Sequence, residues 1–310
     1  MVNPGLDLVE EVSTQRLLRT GFERVYWTSG TPLDLATKLF NAPWSTVLTE
    51  LVDGVVFVSS SQGGESPGPG KKFVEFVGIK QSVPIFDLND ACTGFISGLK
   101  LASALIFSGH SHVLLVTADV YSAFLGVRNT SLGALFSDAA AAVLVSAEID
   151  PQVETEFPSY AVQEAFFHFS HQLGSRQALE STSRQSQTGL KRSNQLELNM
   201  NGAQVFSFVL SHLPRHVKFM RDQAGLSPKD VSWLAHQGSK KVVEEVQQRL
   251  GIRQNLFTAS AIGNTVSSSI PIQIIDGSGD VPANGWLGMV TFGVGLSFAS
   301  SFLKVDKVLG

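Results

Sequence analysis

Val83-Pro-Ile-Phe-Asp-Leu-Asn-Asp-Ala-Cys92 runs without a break into Thr93-Gly-Phe-Ile-Ser-Gly-Leu-Lys-Leu-Ala-Ser-Ala-Leu-Ile-Phe107. The first part is short, with Val, Ile and Phe, as a strand requires. The second is apolar nearly all round and rich in Gly, Ala and Ser, which predicts a fully buried helix. A strand that turns directly into a buried helix is a building unit of an α/β fold. Upstream, Val55-Val-Phe-Val58 reads as a strand buried on both faces. Downstream, Val113-Leu-Leu-Val-Thr-Ala-Asp119 and then Ala139–Val145 read the same way.

A polar segment, Ser170–Gln195, interrupts this pattern with many Ser and Gln and a basic excess, and reads as a surface loop or a cap over a site mouth. Val205–Arg221 follows as a helix that Pro214 is expected to kink or interrupt. Ser227-Pro-Lys-Asp is a helix-start signal placed just before a strand, Val231-Ser-Trp-Leu-Ala235. Lys240–Leu250 is an amphipathic helix closed by Gly251. Two β runs, Trp286–Phe292 and Leu296–Val305, end the pattern around Gly293-Val-Gly295. Strand, turn and buried helix recur faintly between the first half and Thr258–Phe292. Two α/β halves in a similar order would bring two helix starts and two turns to one shared interface.

Composition narrows the function. Basic residues number 23 and acidic residues 27, a net charge of −4 that does not suit a nucleic-acid binder. Only 16% of residues are charged while 43% are apolar, which suits a large core and a buried subunit interface. The single cysteine rules out an intrachain disulfide and a Cys-rich metal site, as expected in a reducing compartment. The N-terminus lacks signal-peptide character and no apolar stretch approaches the ~20 residues of a membrane span. The expectation is a soluble cytoplasmic protein, without membrane or nucleic-acid partners.

Cys92 stands at the start of the buried helix, where the dipole is expected to lower its pKa and favour the thiolate. His236 lies in Ala235-His-Gln-Gly238 at a strand end, and Asn264 in Ile262-Gly-Asn-Thr265. Taken singly, each is equally a satisfied polar residue or ordinary turn chemistry.

Their order along the chain carries more. Arg19-Thr-Gly21, Asp90-Ala-Cys-Thr-Gly-Phe95, Phe136-Ser-Asp-Ala-Ala-Ala141 and Leu198-Asn-Met-Asn-Gly-Ala-Gln-Val-Phe206 come first. His236-Gln237, Gly263-Asn-Thr265 with Ser269-Ile-Pro271, and Thr291-Phe-Gly-Val-Gly-Leu296 complete the set. From Arg19 to Val305 the chain resembles the β-ketoacyl-acyl-carrier-protein synthase III family of the thiolase superfamily.

That resemblance implies a thiolase fold, usually as a homodimer: two pseudo-repeated α/β halves in a five-layer α-β-α-β-α stack, residues 1–150 carrying the nucleophile and 151–310 carrying His and Asn. It implies a decarboxylative Claisen condensation in fatty-acid initiation or a specialised fatty-acid or polyketide pathway. Cys92 would carry the acyl group, and His236 and Asn264 would hydrogen-bond the thioester carbonyl of malonyl-acyl-carrier protein. Backbone N–H groups of Cys92 and Val294 would form the oxyanion pocket. It implies no metal and no cofactor, with acyl-CoA or acyl-carrier-protein thioesters as substrates. Arg19, Arg215, Lys218, Arg221, Lys240 and Lys241 are the basic residues expected to meet substrate or the acidic carrier. The loop Gln62–Lys71 is expected at the dimer contact.

The set Cys-His-Asn, with one cysteine, favours the priming branch over reversible thiolases, which use a second cysteine, and over elongating enzymes, which use two histidines. Two other readings stay open: a Cys-dependent acyltransferase without decarboxylation, and an inactive subunit of a heterodimeric synthase. The chain departs from the family in three places. Gln15 stands where a Trp stacks on adenine, His236-Gln-Gly-Ser-Lys-Lys241 lacks the family's Asn and Arg, and no first strand is evident. These departures weaken the expectation of an acetyl-CoA primer and leave room for a donor on a carrier protein.

Overall fold

The computed structural model of the chain describes residues 7–11, 13–40, 45–62, 66–125, 132, 134–148, 159–171, 178–182, 195–277 and 284–307. The 150/151 boundary, residues 63–65 of the loop 62–71, and residues 172–177 and 183–194 of the polar segment lie outside these. The strands are β1 (Asp7–Glu11), β2 (Arg24–Trp27), β3 (Gly54–Val58), β4 (Ile85–Leu88), β5 (His112–Asp119), β6 (Ala139–Ser146), β7 (Ser159–His171), β8 (Ala178–Thr182), β9 (Gln195–Asn199), β10 (Val231–Ala235), β11 (Asn284–Gly293) and β12 (Ser297–Lys307). The helices are α1 (Thr14–Thr20), α2 (Pro32–Lys38), α3 (Ser45–Leu51), α4 (Pro69–Val77), α5 (Gly94–Phe107), α6 (Gly202–Gln223), α7 (Lys240–Leu250) and α8 (Ser269–Ile275).

Eight strands hydrogen-bond in the order β10-β11-β12-β7-β6-β5-β3-β4. The two halves meet where β6 pairs with β7 over Leu144–Ser146 and Ser159–Ala161. Alternation along the strands sends neighbours to opposite faces. Val55 and Phe57 pack under α2, α3 and α4 in one cluster. Val56 and Val58 face α5 in a second, which also takes Leu234, Ile270, Met289 and Leu303 from the other half. The opposite face of β10, β11 and β12 packs against α6 and α7. Outer helices, strands, α5 with α8, strands and outer helices therefore stack in five layers.

The small residues of α5 let it lie close on the sheet. A Cβ at Gly94 would come within 2.5 Å of Val58 Cγ1, and one at Gly98 within 2.6 Å of Leu115 Cδ1. The helix is not buried all round: Lys100, Ala104 and Phe107 form an exposed stripe.

Two further readings shift. The helix α6 runs continuously through Pro214 instead of stopping there. A strand does precede Arg19, but among the described residues β1 pairs with β2 alone, in a ribbon outside the main sheet. The Ser227-Pro-Lys-Asp signal forms a single 3₁₀ turn with a capping box between Ser227 and Asp230. Among the described residues no helix is long and apolar enough to cross a membrane.

Candidate active site

Cys92 sits in a 3₁₀ turn, Ala91–Thr93, between β4 and α5. The residue before it, Ala91, has φ +43°, a left-handed conformation that a residue with a Cβ seldom adopts. Asp90 holds the turn from below. Its carbonyl accepts Thr93 N–H at 3.1 Å and Thr93 Oγ1 at 2.8 Å, and its carboxylate accepts Ser97 Oγ. The thiol is 5% exposed and packs with Tyr121, Leu132, Phe136, Leu198, Val266 and Val294. The β11–β12 hairpin is flush against it, since a Cβ at Gly293 would lie 2.8 Å from Cys92 Sγ.

His236 is the first residue past β10, its N–H donating to Val290 O at 2.8 Å. Its ring stands edge-on to Phe292, centroids 5.3 Å apart. Gly238 leaves room for that ring pair, because a Cβ there would meet Phe292 at 2.8 Å. Gln237 is fully engaged in scaffolding. Its Nε2 donates to Ala235 O and Leu256 O, its Oε1 accepts from Thr258 and Ala259 N–H, and its own N–H donates to Ser269 Oγ.

Asn264 is set by its backbone. Its N–H donates to Leu135 O at 2.9 Å, and its carbonyl accepts Ser137 N–H at 2.8 Å. Gly263 makes the approach possible: its φ is +85°, and a Cβ there would stand only 2.7 Å from Ser137 Oγ. Asn264 Oδ1 accepts Val266 N–H at 3.0 Å, which orients the amide and leaves Nδ2 as its donor end. Val266 is the common neighbour of all three residues: it packs with Cys92, holds the Asn264 amide, and sets its backbone against the His236 ring.

The 3-oxoacyl-(acyl-carrier-protein) synthase III family model matches residues 86–161, and the C-terminal model of the same family matches residues 222–305. The β-ketoacyl-(acyl-carrier-protein) synthase III of Campylobacter curvus is 30% identical over 77% of this chain and 71% of that protein. The chain belongs to the β-ketoacyl-acyl-carrier-protein synthase III family. Solved structures agree on the thiolase fold. The synthase III of Pseudomonas aeruginosa superposes with TM-score 0.79 at 23% identity, covering 100% of this chain and 97% of that one. The priming β-ketosynthase of a polyketide pathway superposes with TM-score 0.76 at 23% identity, covering 96% and 89%. The chain is accordingly an enzyme of the acyltransferase type.

At Cys92 the protonation state differs from the sequence expectation. Burial, then the carboxylates of Asp119 and Asp90, push the Cys92 thiol well above its usual range, outweighing the help of its own N–H. The helix start does not produce a resting thiolate, because the sulfur is enclosed by apolar side chains with negative charge behind it. Burial also holds His236 down at about 3, against a smaller opposing effect of the Val266 backbone. The resting pair is a neutral thiol and a neutral imidazole. The sequence reading passed over Asp119 and Tyr121, whose phenol packs with the thiol.

The basic residues separate into two groups. Arg19, Lys240 and Lys241 line one surface cleft of about 860 Å³ with Leu17, Gly21 and Phe257. Arg215, Lys218 and Arg221 lie on α6 and do not line that cleft. There Lys218 pairs with Asp222 at 2.5 Å and Arg221 approaches the same carboxylate at 3.9 Å, so one acid faces two of the three cations.

The His236 shift sets a pH dependence of stability. Folded His236 titrates at about 3, against 6.5 for the free side chain. Between those values the unfolded chain binds more protons, so stability is lost as pH falls through that window. Urea midpoints taken at about pH 7.5 and about pH 5 are expected to fall less in His236→Gln than in the parent. Equal falls in the two proteins would remove His236 as the titrating group.

Proposed function

We propose that this enzyme joins an acyl group held on Cys92 to the enolate of a malonyl thioester on acyl carrier protein, releasing CO₂ and a β-ketoacyl thioester. Cys92 Sγ attacks the donor thioester carbonyl, and the donor thiol leaves with the thiol proton. Loss of CO₂ from the malonyl group then leaves its electron pair on the α-carbon and the thioester oxygen. A ring N–H of His236 and Nδ2–H of Asn264 donate to that oxygen as its charge develops. The α-carbon attacks the acyl-Cys92 carbonyl, whose oxyanion is held by backbone N–H groups of Cys92 and Val294. Collapse of that intermediate expels the Cys92 sulfur and frees the product.

The observation that carries this reading is the pairing of Asn264 Oδ1 with Val266 N–H beside a neutral, buried His236. Two fixed neutral donors suit an enolate, whereas a histidine at about 3 makes a poor general base. Intact-protein mass spectrometry with an acyl thioester is expected to show an adduct on the parent, on His236→Ala and on Asn264→Ala, and none on Cys92→Ala. Condensation with malonyl-carrier protein is expected to fall a hundredfold or more in each donor variant, ~3 kcal/mol per lost donor. A Cys92→Ala protein condensing at the normal rate ends the reading. Acylation without CO₂ release in the parent turns it to the non-decarboxylating acyltransferase, and no adduct at all to the inactive subunit.

The partner is proposed to be an acidic carrier protein docking at the Arg19–Lys240–Lys241 cleft, and not chiefly on α6. Lys240 is bridged only loosely to Glu244, at 3.8 Å, and Lys241 lies over the Phe206 ring. Opposite charges at a rim act mainly on association rate. Lys240→Glu with Lys241→Glu is expected to raise the carrier-protein KM at low salt, and Arg215→Glu with Lys218→Glu to do so less. A ranking in the reverse order places the patch on α6.

A homodimer is proposed through β4, the last strand of the sheet order. Phe86 on β4 and Phe76 on α4, which packs against β4, are 37% and 64% exposed, an apolar surface beside an open strand edge. Gly70 N–H, in the described part of the loop 62–71, is held on β4 by Asp87 Oδ1 at 2.7 Å. Light scattering at micromolar concentration is expected to give twice the chain mass, and a stable monomer would reject the interface.

A further inference from the structure

Asp119 is the last residue of β5 and is completely buried. Its two oxygens face different parts of the chain. Oδ1 accepts Ser60 N–H at 2.8 Å, Ser60 Oγ at 2.9 Å and Ser61 Oγ at 3.3 Å, all in the segment that leaves β3. Oδ2 accepts Ser267 N–H at 3.3 Å and Ser267 Oγ at 2.5 Å, in the turn that follows Asn264. All these donors are neutral. A buried carboxylate held only by serines is an expensive element for stability alone, since desolvation is not offset by a cation.

The turn it grips needs gripping. Val266 has φ +53°, a strained conformation for a β-branched residue. Its N–H is the group that fixes the Asn264 amide. The next residue, Ser267, is tied to Asp119, and Ser268 Oγ meets Thr117 Oγ1 at 2.9 Å. The end of β5 thus holds two successive residues of the turn.

We propose that Asp119 is a positioning residue that clamps the Val266–Ser268 turn onto the ends of β3 and β5, and thereby fixes the Asn264 amide over the nucleophile. This rests on the role given to Asn264 above. Burial raises the Asp119 carboxyl above its usual range, against the hydrogen bonds from Ser267 and Ser60 that favour its charged form.

Asp119→Asn keeps the shape but turns an NH₂ toward one set of serine donors, so one arm of the clamp opens. The Thr117–Ser268 contact remains to support the fold. The variant is expected to form the acyl-Cys92 adduct, to keep its KM for malonyl-carrier protein within a few-fold, and to lose ~10–100-fold in kcat for condensation. Added to Asn264→Ala, it is expected to cause no further loss, because the donor it positions is already gone. A merely structural defect would multiply with Asn264→Ala and would impair acylation as well. If Asp119→Asn does not fold, Ser267→Ala, which removes one donor to Oδ2, is expected to show the same kcat loss and the same non-additivity. The inference is overturned by a wild-type kcat in the variant that folds, by multiplicative losses, or by loss of acylation. A fully active Asn264→Ala removes the donor role and the inference with it. An impaired Asn264→Ala beside a fully active Asp119→Asn removes only the clamp.

Discussion

Two backbone hydrogen bonds, Asn264 N–H to Leu135 O and Ser137 N–H to Asn264 O, stitch the turn of one half onto the strand approach of the other. The same short segment is held from the far side. Ser137 Oγ accepts Tyr26 N–H and donates to Ile262 O, Trp27 Nε1 donates to Phe136 O, and Asp138 accepts Thr28 and Ser122 N–H. Residues 135–138 therefore fix the position of Asn264, the buried Phe136 of the Cys92 cluster, and the 3₁₀ turn that carries Tyr121. Movement there would displace Asn264, Phe136 and the support of β2 together. Such shared dependence explains why nearly every polar group in the segment is bonded.

Strain is concentrated at the same place. The non-glycine residues with positive φ are Ala91, Val266 and Leu296 among the described residues, and they flank the nucleophile, the Asn264 amide and the Gly293–Gly295 hairpin. Conformations of this kind cost about 1–3 kcal/mol each and persist only where the surroundings over-determine them. Here the surroundings are α5 pressed on β3 and β5 through Gly94 and Gly98, and Gln237 bonded through every polar atom of its side chain. The rigid layers sustain the strained turns, and the strained turns aim the reactive groups.

The strands and helices were legible because buried β-branched runs and an Ala/Gly/Ser helix leave plain periodic patterns, as at Val55–Val58 and α5. Cys92 was legible from its place between a strand and such a helix. His236 and Asn264 were not, except through motif order, since a strand-end histidine and a Gly-Asn turn are common. What the sequence hides is long-range. Nothing in Ala91 or Val266 announces a positive φ, because tertiary contacts impose it. Asp119 is separated from Ser267 by 148 positions, so their bond has no local trace, although an acid closing an apolar run is itself a cue. The α6 cations look free in sequence, but Asp222, one turn on, answers Lys218. Pro214 stays inside its helix because the packed apolar face of α6, Leu213 and Val217 included, outweighs one lost backbone bond. The thiol moves opposite to the dipole expectation because burial and two carboxylates act together on it.

Neutrality of the donor pair has a consequence for the proposed condensation. A malonyl thioester carries its negative charge on the departing carboxylate before the reaction and on the thioester oxygen during it. A cation at this position would attract both, and any hold on the carboxylate would stabilise the ground state that must be left. A neutral imidazole and a neutral amide make directional bonds to the oxygen alone, and these strengthen as charge arrives. Burial, which lowers His236 to about 3 and so keeps the ring uncharged at physiological pH, is then part of the catalytic design. The same burial keeps the thiol protonated at rest, so the sulfur becomes reactive only as its proton leaves with the departing donor thiol. The apolar enclosure formed by Tyr121, Leu132, Phe136, Leu198, Val266 and Val294 thus does two jobs with one physical effect: it keeps the nucleophile quiet and the donor neutral.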